Sequence, residues 1–448
     1  MRKRIRAEVD RRIFTPALAR DDFWWMGFGE RKNLNNWTPW IDSNWLAAVL
    51  LLEADPRRRA AAVYKIMRSL DNFINIYPDD GASDEGPGYW DRAAASLFDN
   101  LELLRGATSG RVDIYGSPLV RSMGQYIYRV YIKDQYFIPM GDASAKITPD
   151  AELVYQYGKR IGDPLMQGFG ALLAQRRGPY RPGSSSPGRI LPALLVAREI
   201  ATAHVAEPLL GSVWLADLQL MAARSTPDSG VGLYVAAWGG HNAQSHNHND
   251  VGNFIVYGDG KPVLIDLGVE TYSAKTFSSQ RYDIWTMQSA YHNLPTINGV
   301  MQAAGREFQA KDVSFNETAN RVTFSADLAS AYPAAAAVRR WQRRVTLDRK
   351  APTVELEDRY ELREWKEPAR LNLMTPLSVD TSQPGAVHLG GRYVLSFDAH
   401  ELRATAEEIP ISDEHLRSVW GERVERLVLT TQGTALRGGY RVVLREAK

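Results

Sequence analysis

Cysteine is absent from the sequence, no long apolar run occurs, and charges of the two signs nearly cancel. Without thiols the chain can form neither disulfides nor thiolate metal sites, so a transition metal would need histidine and carboxylate ligands. No apolar run approaches the ~20 residues that span a bilayer. A formal net charge of +2 over 448 residues gives no general attraction to polyanions. The sequence therefore predicts no membrane segment and no nucleic-acid partner.

The chain is long enough for two domains. At 448 residues it exceeds the size at which a single hydrophobic core stops growing. Apolar residues make up 44% and charged residues 24%, as in ordinary globular proteins. The 12 Trp and 20 Tyr residues serve either as core packing or as platforms for sugar rings, and composition favours the core. The basic start, MRKRIRAEVDRRIF, is not followed by an apolar segment, so no signal peptide is visible.

Hydrophobic periodicity changes near residue 206. Before it, apolar residues recur every three to four positions, as along residues 57–77, which predicts amphipathic helices. After it, short β-rich runs follow one another, and Asp259-Gly260 between two of them predicts a type I′ hairpin. We therefore expect an α+β multidomain chain, with a helical domain at residues 1–205 and an antiparallel β-sandwich or barrel at residues 206–448.

Histidines are concentrated in one part of the predicted β-domain. Four of the eight lie between His241 and His292, and the densest piece is SHNHND at residues 245–250. His248, Asp266 and His292 offer three nitrogen and oxygen ligands suited to a small divalent cation. The alternative is that they are polar loop residues that hydrogen-bond to one another. Spacing alone leaves both interpretations open, because HxH is a short and common pattern.

Two polar loops precede strong helices in the first half of the chain. They cover residues 33–44 and 79–92, and backbone N–H groups at such helix starts can receive anions. Tyr89 follows Gly-Pro-Gly, so its phenol either projects into a cleft or anchors the helix start by packing. Asn247 lies between two histidines, where an amide can hold a substrate carboxylate or stabilise a turn.

Four sequence motifs together resemble the heparinase II/III-like polysaccharide lyases. In order they are NNWTPWIDSN, DEGPGYWDRAAASLFDNLELL, SHNHNDVGNFIVYGDGKPVLIDLG and YHNLPTING. The resemblance implies an incomplete (α/α) toroid followed by a large antiparallel β-sandwich. It also implies cleavage of a uronic-acid-containing glycan, such as a glycosaminoglycan or alginate, by β-elimination. The expected partner is thus an acidic polysaccharide, and a homodimer is one option for assembly.

The resemblance assigns roles to individual residues. Asn36 matches a carboxylate-binding Asn, Tyr89 a catalytic Tyr and His246 an active-site His. The zinc ligands of the family match His248, Asp266 and His292, so we expect a structural Zn²⁺. Further candidates for substrate binding lie near these motifs: Trp37, Glu85, Arg92, Asn247 and Tyr282. Among them, the match of Tyr282 to the family is weaker.

Two departures from the family pattern bear on these expectations. Several members have His after the Asn of the first loop, whereas this chain has Trp37, which removes one candidate base. The family also has more helical sequence before this point and a secretion signal. We therefore expect a toroid shortened at its N-terminus and, by resemblance, a periplasmic or secreted protein.

β-Elimination sets the chemistry that these residues would have to perform. The C5 proton of a uronate becomes acidic when its carboxylate is neutralised by hydrogen bonds, here from Asn36 and His246. A base then removes that proton and an acid protonates the leaving O4. Tyr89 serves as both if the two groups share a face of the ring; otherwise His246 is the base and Tyr89 the acid. Two other functions remain open, a non-catalytic glycan-binding protein of this fold and a zinc-dependent hydrolase.

Overall fold

The computed structural model describes residues 1–30, 34–178 and 186–447, which form two compact units. The first unit comprises residues 1–83, 89–128 and 148–208; the second comprises residues 84–88, 129–147 and 209–448. The first residue of the predicted polar loop 33–44 lies outside the described residues. The division into domains at residue 205 stays a prediction, and the two short segments 84–88 and 129–147 pack with the second unit.

The first unit is built from helices. In chain order they are α1 Arg2–Val9, α2 Thr15–Ala19, α3 Trp37–Leu52, α4 Pro56–Ile74, α5 Ala94–Ala107, α6 Pro118–Arg129, α7 Ala151–Arg160, α8 Pro164–Arg177 and α9 Pro187–Ala201. A π-helical turn, Asp10–Phe14, links the first two, and 3₁₀ turns cover Trp24–Met26 and Pro87–Tyr89. None of the helices among the described residues combines the length and the apolar character needed to cross a membrane.

Helix α4 shows why these segments are helical. Asp55 caps its start by accepting hydrogen bonds from the backbone N–H groups of Arg57 and Arg58, and Pro56 supplies a preset φ at the first position. The buried residues Ala62, Ile66, Ser69, Leu70 and Phe73 recur at three-to-four spacing along one face. The helical periodicity predicted for residues 57–77 is therefore confirmed.

The second unit consists mainly of antiparallel sheets. Its strands are β1 Tyr131–Lys133, β2 Tyr136–Phe137, β3 Ser212–Leu215, β4 Leu220–Arg224, β5 Leu233–Trp238, β6 His241–Asn242, β7 Phe254–Gly258, β8 Lys261–Leu264, β9 Pro295–Thr296, β10 Gly305–Gln309, β11 Lys311–Glu317, β12 Arg321–Asp327, β13 Val338–Asp348, β14 Thr353–Leu362, β15 Arg370–Thr375, β16 Val379–Asp380, β17 Ala386–Leu389, β18 Tyr393–Phe397, β19 Leu402–Pro410, β20 Arg423–Thr431 and β21 Arg437–Glu446. One short helix, α10 Glu414–Trp420, precedes β20.

Three larger sheets share one hydrophobic core. Their strand orders are β3-β4-β5-β7-β8, β11-β12-β13-β14-β21-β18-β17-β16 and β19-β20-β15-β9. Residues from all three, such as Val256, Phe324 and Leu427, belong to one buried cluster. Along β12 the burial alternates residue by residue, as a strand with one face on the core requires. The sandwich character of the second half follows from this shared core.

The predicted hairpin turn is present between β7 and β8. Asp259 and Gly260 both have positive φ, at 50° and 75°, as a type I′ turn requires. The general prediction of helices first and antiparallel strands second is also confirmed. The hairpin of β1 and β2, within residues predicted as helical, is not foreseen, because paired strands of three and two residues are too short to show a two-residue period.

Candidate functional site

The loop between β6 and β7 carries both histidines of the HxH pattern. His246 has a left-handed backbone with φ of 57°, a conformation that is uncommon for residues other than glycine. Although the segment is a loop and not a strand, both rings contact the same carboxylate. Nδ1 of His246 lies 2.7 Å from Oδ2 of Asp142, and Nε2 of His248 lies 3.1 Å from Oδ1.

Asp142 is held in its ionised form. Burial acts to raise the pKa of Asp142, but hydrogen bonds from His246, His248 and Arg281 outweigh it and hold the pKa well below the usual range for Asp. Arg281 approaches Oδ1 at 2.6 Å and also donates to the backbone carbonyl of Asn247 at 2.9 Å. The guanidinium thereby ties the carboxylate to the histidine loop.

Two aromatic side chains flank the ring of His246. Tyr272 stacks on it at a centroid distance of 6.3 Å with 16° between the planes, and its hydroxyl donates to Asp142 at 3.0 Å. Phe277 meets His246 edge-on at 6.3 Å, and both aromatic side chains are exposed. The His246 side chain keeps 14% of its surface exposed. The His246 ring is therefore held by Asp142 and Tyr272, while a part of it stays accessible to solvent.

The segment 84–88 brings two carboxylates to the histidine loop. Oε1 of Glu85 lies 3.6 Å from Nε2 of His246, and Asp84 accepts a hydrogen bond from the backbone N–H of Ser245 at 3.0 Å. Burial raises the pKa of Asp84. At Gly86 a Cβ would lie 2.1 Å from the carbonyl oxygen of Met140, so only glycine permits this approach. The Gly-Pro-Gly element thus has a packing role.

His248, Asp266 and His292 come together as the sequence predicts. One candidate ligand atom from each lies within 4.8 Å of the other two, and the three side chains are buried. Asp266 follows β8, while His292 follows the 3₁₀ turn Ser289–Tyr291. Nδ1 of His248 and Nε2 of His292 have no hydrogen-bond partner in the described structure although both are buried. Two orphaned imidazole nitrogens next to a carboxylate are the donor set that a zinc ion requires.

The carboxylate of the triad is held from its other sides. Asp266 accepts hydrogen bonds from Asn253 at 2.7 Å and from the backbone N–H of Gly268 at 2.8 Å, and it lies 2.8 Å from Nδ1 of His292. Burial acts to raise the pKa of Asp266, but the charge of His292 outweighs it and lowers this pKa. Supporting contacts of this kind orient metal ligands in known sites. Asn253 is therefore a structural neighbour of the triad.

Asn247 and Tyr282 contact each other directly. The amide of Asn247 donates to the Tyr282 hydroxyl at 3.0 Å and to Oδ1 of Asn249 at 3.3 Å. Asn247 is buried, whereas Tyr282 is half-buried. The contact places two of the candidates for substrate binding side by side, and in this structure the amide stabilises the loop around the histidines.

In the first unit, tryptophans cluster at the start of α3. Asn36 is buried immediately before this helix, and Trp37 at its first position is 47% exposed. The Trp37 ring packs on Trp40 at 5.5 Å, and the Arg92 guanidinium lies 4.2 Å from the Trp40 ring centre. Trp37, Trp40 and Arg92 therefore form a mixed aromatic and cationic surface, which we call the tryptophan cluster.

Tyr89 ends the 3₁₀ turn Pro87–Tyr89 and is half-buried. Its carbonyl oxygen accepts hydrogen bonds from the backbone N–H groups of Arg92 and Ala93, both at 3.0 Å. These bonds lead the chain into α5, which begins at Ala94. The backbone of Tyr89 is fixed by the helix start, which leaves the orientation of the phenol to its side-chain torsions.

The sequence prediction omitted Asp142, Tyr272 and Arg281. Asp142 is far from the histidines in the chain, and its loop was given no role. The available signal was Gly141: a Cβ there would lie 3.0 Å from the carbonyl oxygen of His246, and its φ is 55°. Unless this tertiary contact is known, a Gly-Asp pair after a short β hairpin in a helical region is only weak evidence that the Asp has a role at the site.

Comparison with known proteins identifies the C-terminal region. Residues 222–408 match the family described as heparinase II/III-like, C-terminal, whereas no curated protein matches the chain. The fold is similar to that of heparan sulfate lyase HepC from Pedobacter heparinus, with a TM-score of 0.65 and 14% identity over 93% of this chain and 60% of that one. A heparinase III structure gives a TM-score of 0.67 at 12% identity, over 93% and 60% of the two chains.

A chondroitin AC lyase from Streptomyces coelicolor A3 is similar at a TM-score of 0.57 and 12% identity, over 99% of this chain and 70% of that one. The chain spans about 60% of the length of the heparinase structures. At these identities the likeness concerns the fold. Residues 222–408 therefore form a heparinase II/III-like C-terminal domain.

Proposed function

We propose that this protein is a polysaccharide lyase that cleaves a uronic-acid-containing glycan by β-elimination. The observation that carries the proposal is the setting of His246. Its ring is fixed by Asp142 at 2.7 Å, has a second carboxylate, Glu85, at 3.6 Å from Nε2, and keeps a part of its surface exposed. A histidine in a left-handed backbone conformation, oriented by a buried carboxylate, has the features of a general base or a substrate-carboxylate ligand.

The substrate carboxylate must be neutralised before the C5 proton can leave. We assign this role to Asn36 and, where Tyr89 is the base and the ring of His246 is protonated, also to His246, because an amide and an imidazolium can both donate hydrogen bonds to a carboxylate. As the proton leaves, charge spreads from C5 into the carboxylate, so these hydrogen bonds strengthen in the transition state. Trp37, Arg92, Asn247 and Tyr282 are proposed to contact neighbouring sugars.

Proton transfer is assigned to Tyr89 and His246. Tyr89 donates a proton to the leaving O4 in either stereochemical course. Where H5 and O4 share a face of the ring, Tyr89 starts as the phenolate, removes H5 and passes that proton to O4. Where they lie on opposite faces, Nε2 of His246 removes H5 and the neutral Tyr89 hydroxyl protonates O4. The carboxylate of Glu85 stabilises the imidazolium that forms in the second case. Epimeric uronates, which differ in the face that carries H5, would separate the two courses.

Zinc is the ion that we propose for the triad of His248, Asp266 and His292. When bound, it would cross-link three loops of the second unit and fix the orientation of the ligand rings. A catalytic zinc needs an open position that substrate reaches. The three ligands are at most 2% exposed, which supports a structural ion and disfavours the zinc-hydrolase alternative.

We further propose that the helical unit is an incomplete (α/α) toroid and that the protein acts in the periplasm or is secreted. Consecutive helices α3 and α4, and α7 and α8, pack on each other, as in a toroid. Large charged polymers do not cross a bilayer unaided, so an enzyme that depolymerises them acts outside the cytoplasm.

A panel of uronate polymers tests the proposed function. Heparan sulfate, chondroitin sulfate, hyaluronan, alginate and polyglucuronate are incubated with the protein, and ultraviolet absorbance of the C4–C5 double bond is followed. We expect at least one polymer to give this absorbance, and its carboxyl-reduced derivative to remain intact, because reduction removes the group that acidifies H5. Binding without cleavage of every polymer would support the glycan-binding alternative instead.

A further inference from the structure

Asp142 meets four hydrogen-bond donors from the loops around it. Oδ2 accepts from Nδ1 of His246 at 2.7 Å and from the Tyr272 hydroxyl at 3.0 Å. Oδ1 lies 3.1 Å from Nε2 of His248 and accepts from the guanidinium of Arg281 at 2.6 Å. An ionised carboxylate has about four acceptor positions and no donor. The four donors therefore use the full acceptor capacity of a side chain that is completely buried.

The loop that carries Asp142 reaches the histidine loop by a close backbone approach. Gly141 has a positive φ of 55°, and a Cβ at this position would lie 3.0 Å from the carbonyl oxygen of His246. A larger residue would displace the loop by a few tenths of an ångström, which is enough to lengthen both histidine contacts. The close approach at Gly141 therefore restricts the backbone of the loop that carries Asp142.

The two contacts define which nitrogen of each ring carries the hydrogen. A carboxylate only accepts, so the nitrogens that face it, Nδ1 of His246 and Nε2 of His248, must carry hydrogen. In the neutral rings the lone pairs then lie on Nε2 of His246 and Nδ1 of His248. Nδ1 of His248 is buried without a hydrogen-bond partner, and His248 belongs to the candidate metal triad. Nε2 of His246 is the nitrogen 3.6 Å from Glu85.

We propose that Asp142 is a positioning residue that sets the ring tautomers of His246 and His248 together, so that one carboxylate orients both the reactive histidine and a metal ligand. For the role of His246 this inference rests on the proposed function; for the tautomers it rests on the contacts alone. This arrangement would couple the metal site to the ring of His246. A cation held by Nδ1 of His248 would strengthen the hydrogen bond from Nε2 of His248 to Asp142 and so restrict the carboxylate that orients His246.

Tyr272 and Arg281 complete the positions around Asp142. The hydroxyl of Tyr272 shares Oδ2 with His246, and its ring covers the imidazole face. Arg281 shares Oδ1 with His248 and bonds the carbonyl oxygens of Asn247 and Thr276 at 2.9 and 3.1 Å. Each oxygen of Asp142 thus receives one histidine and one further donor, which restricts rotation of the carboxylate. Asparagine could not replace Asp142 among these four donors, because one end of its side-chain amide donates hydrogen bonds and only the other end accepts them.

The tautomers can be observed without substrate. Protein labelled with ¹⁵N-histidine and loaded with Zn²⁺ is studied by long-range ¹H–¹⁵N correlation at about pH 8, where unperturbed imidazoles are neutral. His246→Ala and His248→Ala variants assign the signals. We expect hydrogen on Nδ1 of His246 and on Nε2 of His248. Hydrogen on Nε2 of His246, or on Nδ1 of His248, would overturn the inference even if no Asp142 variant folds.

Asp142→Asn tests the coupling, with Asp134→Asn as the matched control on the same segment. The amide can accept at one end only, so at least one of the two rings should change tautomer, Zn²⁺ affinity should fall by about 10- to 100-fold, and kcat should fall with KM nearly unchanged. Asp142→Glu should restore both tautomers in part. Asp134 forms an exposed 3.5 Å ion pair with Lys261, and its replacement should leave the tautomers and the zinc affinity unchanged.

The outcomes separate this inference from the proposed function. If no uronate polymer is cleaved but the tautomers and the zinc affinity behave as stated, the lyase proposal fails and the role of Asp142 stands. If a polymer is cleaved and Asp142→Asn keeps both tautomers with zinc affinity within about twofold of the unaltered protein, the role of Asp142 is wrong and the lyase proposal stands.

Discussion

Glu85 and His246 lie 3.6 Å apart, from Oε1 to Nε2, although they belong to distant parts of the sequence. The contact is made within the second unit, to which residues 84–88 belong although the residues before and after them belong to the first unit. Glu85 is buried. We propose that this buried carboxylate stabilises the positive charge that the ring gains when it removes the C5 proton.

We predict that Glu85→Gln lowers kcat by about tenfold or more while KM changes little, because the imidazolium formed in the reaction loses its neighbouring charge. Steady-state kinetics on a cleaved polymer give both constants. Asp84→Asn is the comparison on the same segment and should lower kcat less, since Asp84 bonds the backbone of Ser245 and affects the ring of His246 through its charge alone. Equal losses of kcat in the two variants would show that the segment acts only through its packing.

Tyr89→Phe should lower kcat by about 10²–10⁴-fold with the fold and KM largely retained. The phenol hydroxyl transfers the proton, whereas the half-buried ring alone satisfies the packing at the start of α5. Circular dichroism and steady-state kinetics provide the measurements. Tyr64→Phe, at an exposed position of α4, should leave kcat unchanged. Near-normal turnover by Tyr89→Phe would remove this residue from the catalytic centre.

Asn36 and its neighbour Asn35 provide a matched pair. Oδ1 of Asn35 accepts a hydrogen bond from the backbone N–H of Trp37 at 3.1 Å, so Asn35→Ala should destabilise the start of α3 by about 1 kcal/mol without lowering kcat/KM. Asn36→Ala should lower kcat because the substrate carboxylate stays charged as the C5 proton leaves. Thermal unfolding and kinetics separate the two effects. The reverse pattern, with activity lost only in Asn35→Ala, would contradict the assignment of Asn36.

Zinc should be present at one ion per chain in protein purified without chelator. His248→Ala or Asp266→Asn should abolish this stoichiometry and lower the melting temperature, because the ion joins three loops of the second unit. Elemental analysis and thermal unfolding are the measurements. His400→Ala, which removes an exposed histidine from the same unit, should retain the metal. Full zinc content in both triad variants would show that the metal lies elsewhere.

Burial raises the pKa of Asp150 to about 6. An unfolded Asp titrates near ~3.9, so the folded state holds the proton more tightly, and the stability due to this group is complete below about pH 4 and lost as pH rises through 6. Asp150 caps α7 through the backbone N–H of Leu153 at 3.1 Å, and Asn caps equally well. At pH 7 the free energy of unfolding of Asp150→Asn should therefore exceed that of the unaltered protein by roughly 3 kcal/mol.

The same comparison at pH 4 should show little difference between Asp150→Asn and the unaltered protein, because Asp150 is protonated in the folded state and already about half protonated in the unfolded state. Denaturant unfolding at the two pH values measures the effect. An advantage of the Asn variant that is the same at pH 4 and pH 7 would show that Asp150 does not titrate with a raised pKa.

Local sequence patterns predicted α4 and one hairpin turn, through three-to-four periodicity and the Asp259-Gly260 pair. The family resemblance predicted that His248, Asp266 and His292 lie together, which spacing alone left open. These features depend on residues close in the chain or on a motif that a family resemblance supplies. The match at residues 222–408 confirms the predicted family.

The surroundings of His246 could not be predicted in the same way. Asp142 and Glu85 contact the ring because they lie in the segments 129–147 and 84–88, which belong to the second unit although their neighbours in the sequence belong to the first. Each of these segments is short and irregular, so it has no hydrophobic periodicity from which its place in the second unit could be predicted. The close approaches at Gly86 and Gly141 are visible only once the partner backbones, at Met140 and His246, are known.

The masses of the products from a uronate oligosaccharide of defined length, cleaved in ¹⁸O-labelled water, test the central claim most directly. Elimination breaks the C4–O4 bond without adding water, so the two product masses should sum to that of the substrate, with no ¹⁸O in either and a C4–C5 double bond in one. Products that together gain one labelled water and show no double bond would establish hydrolysis and contradict the account.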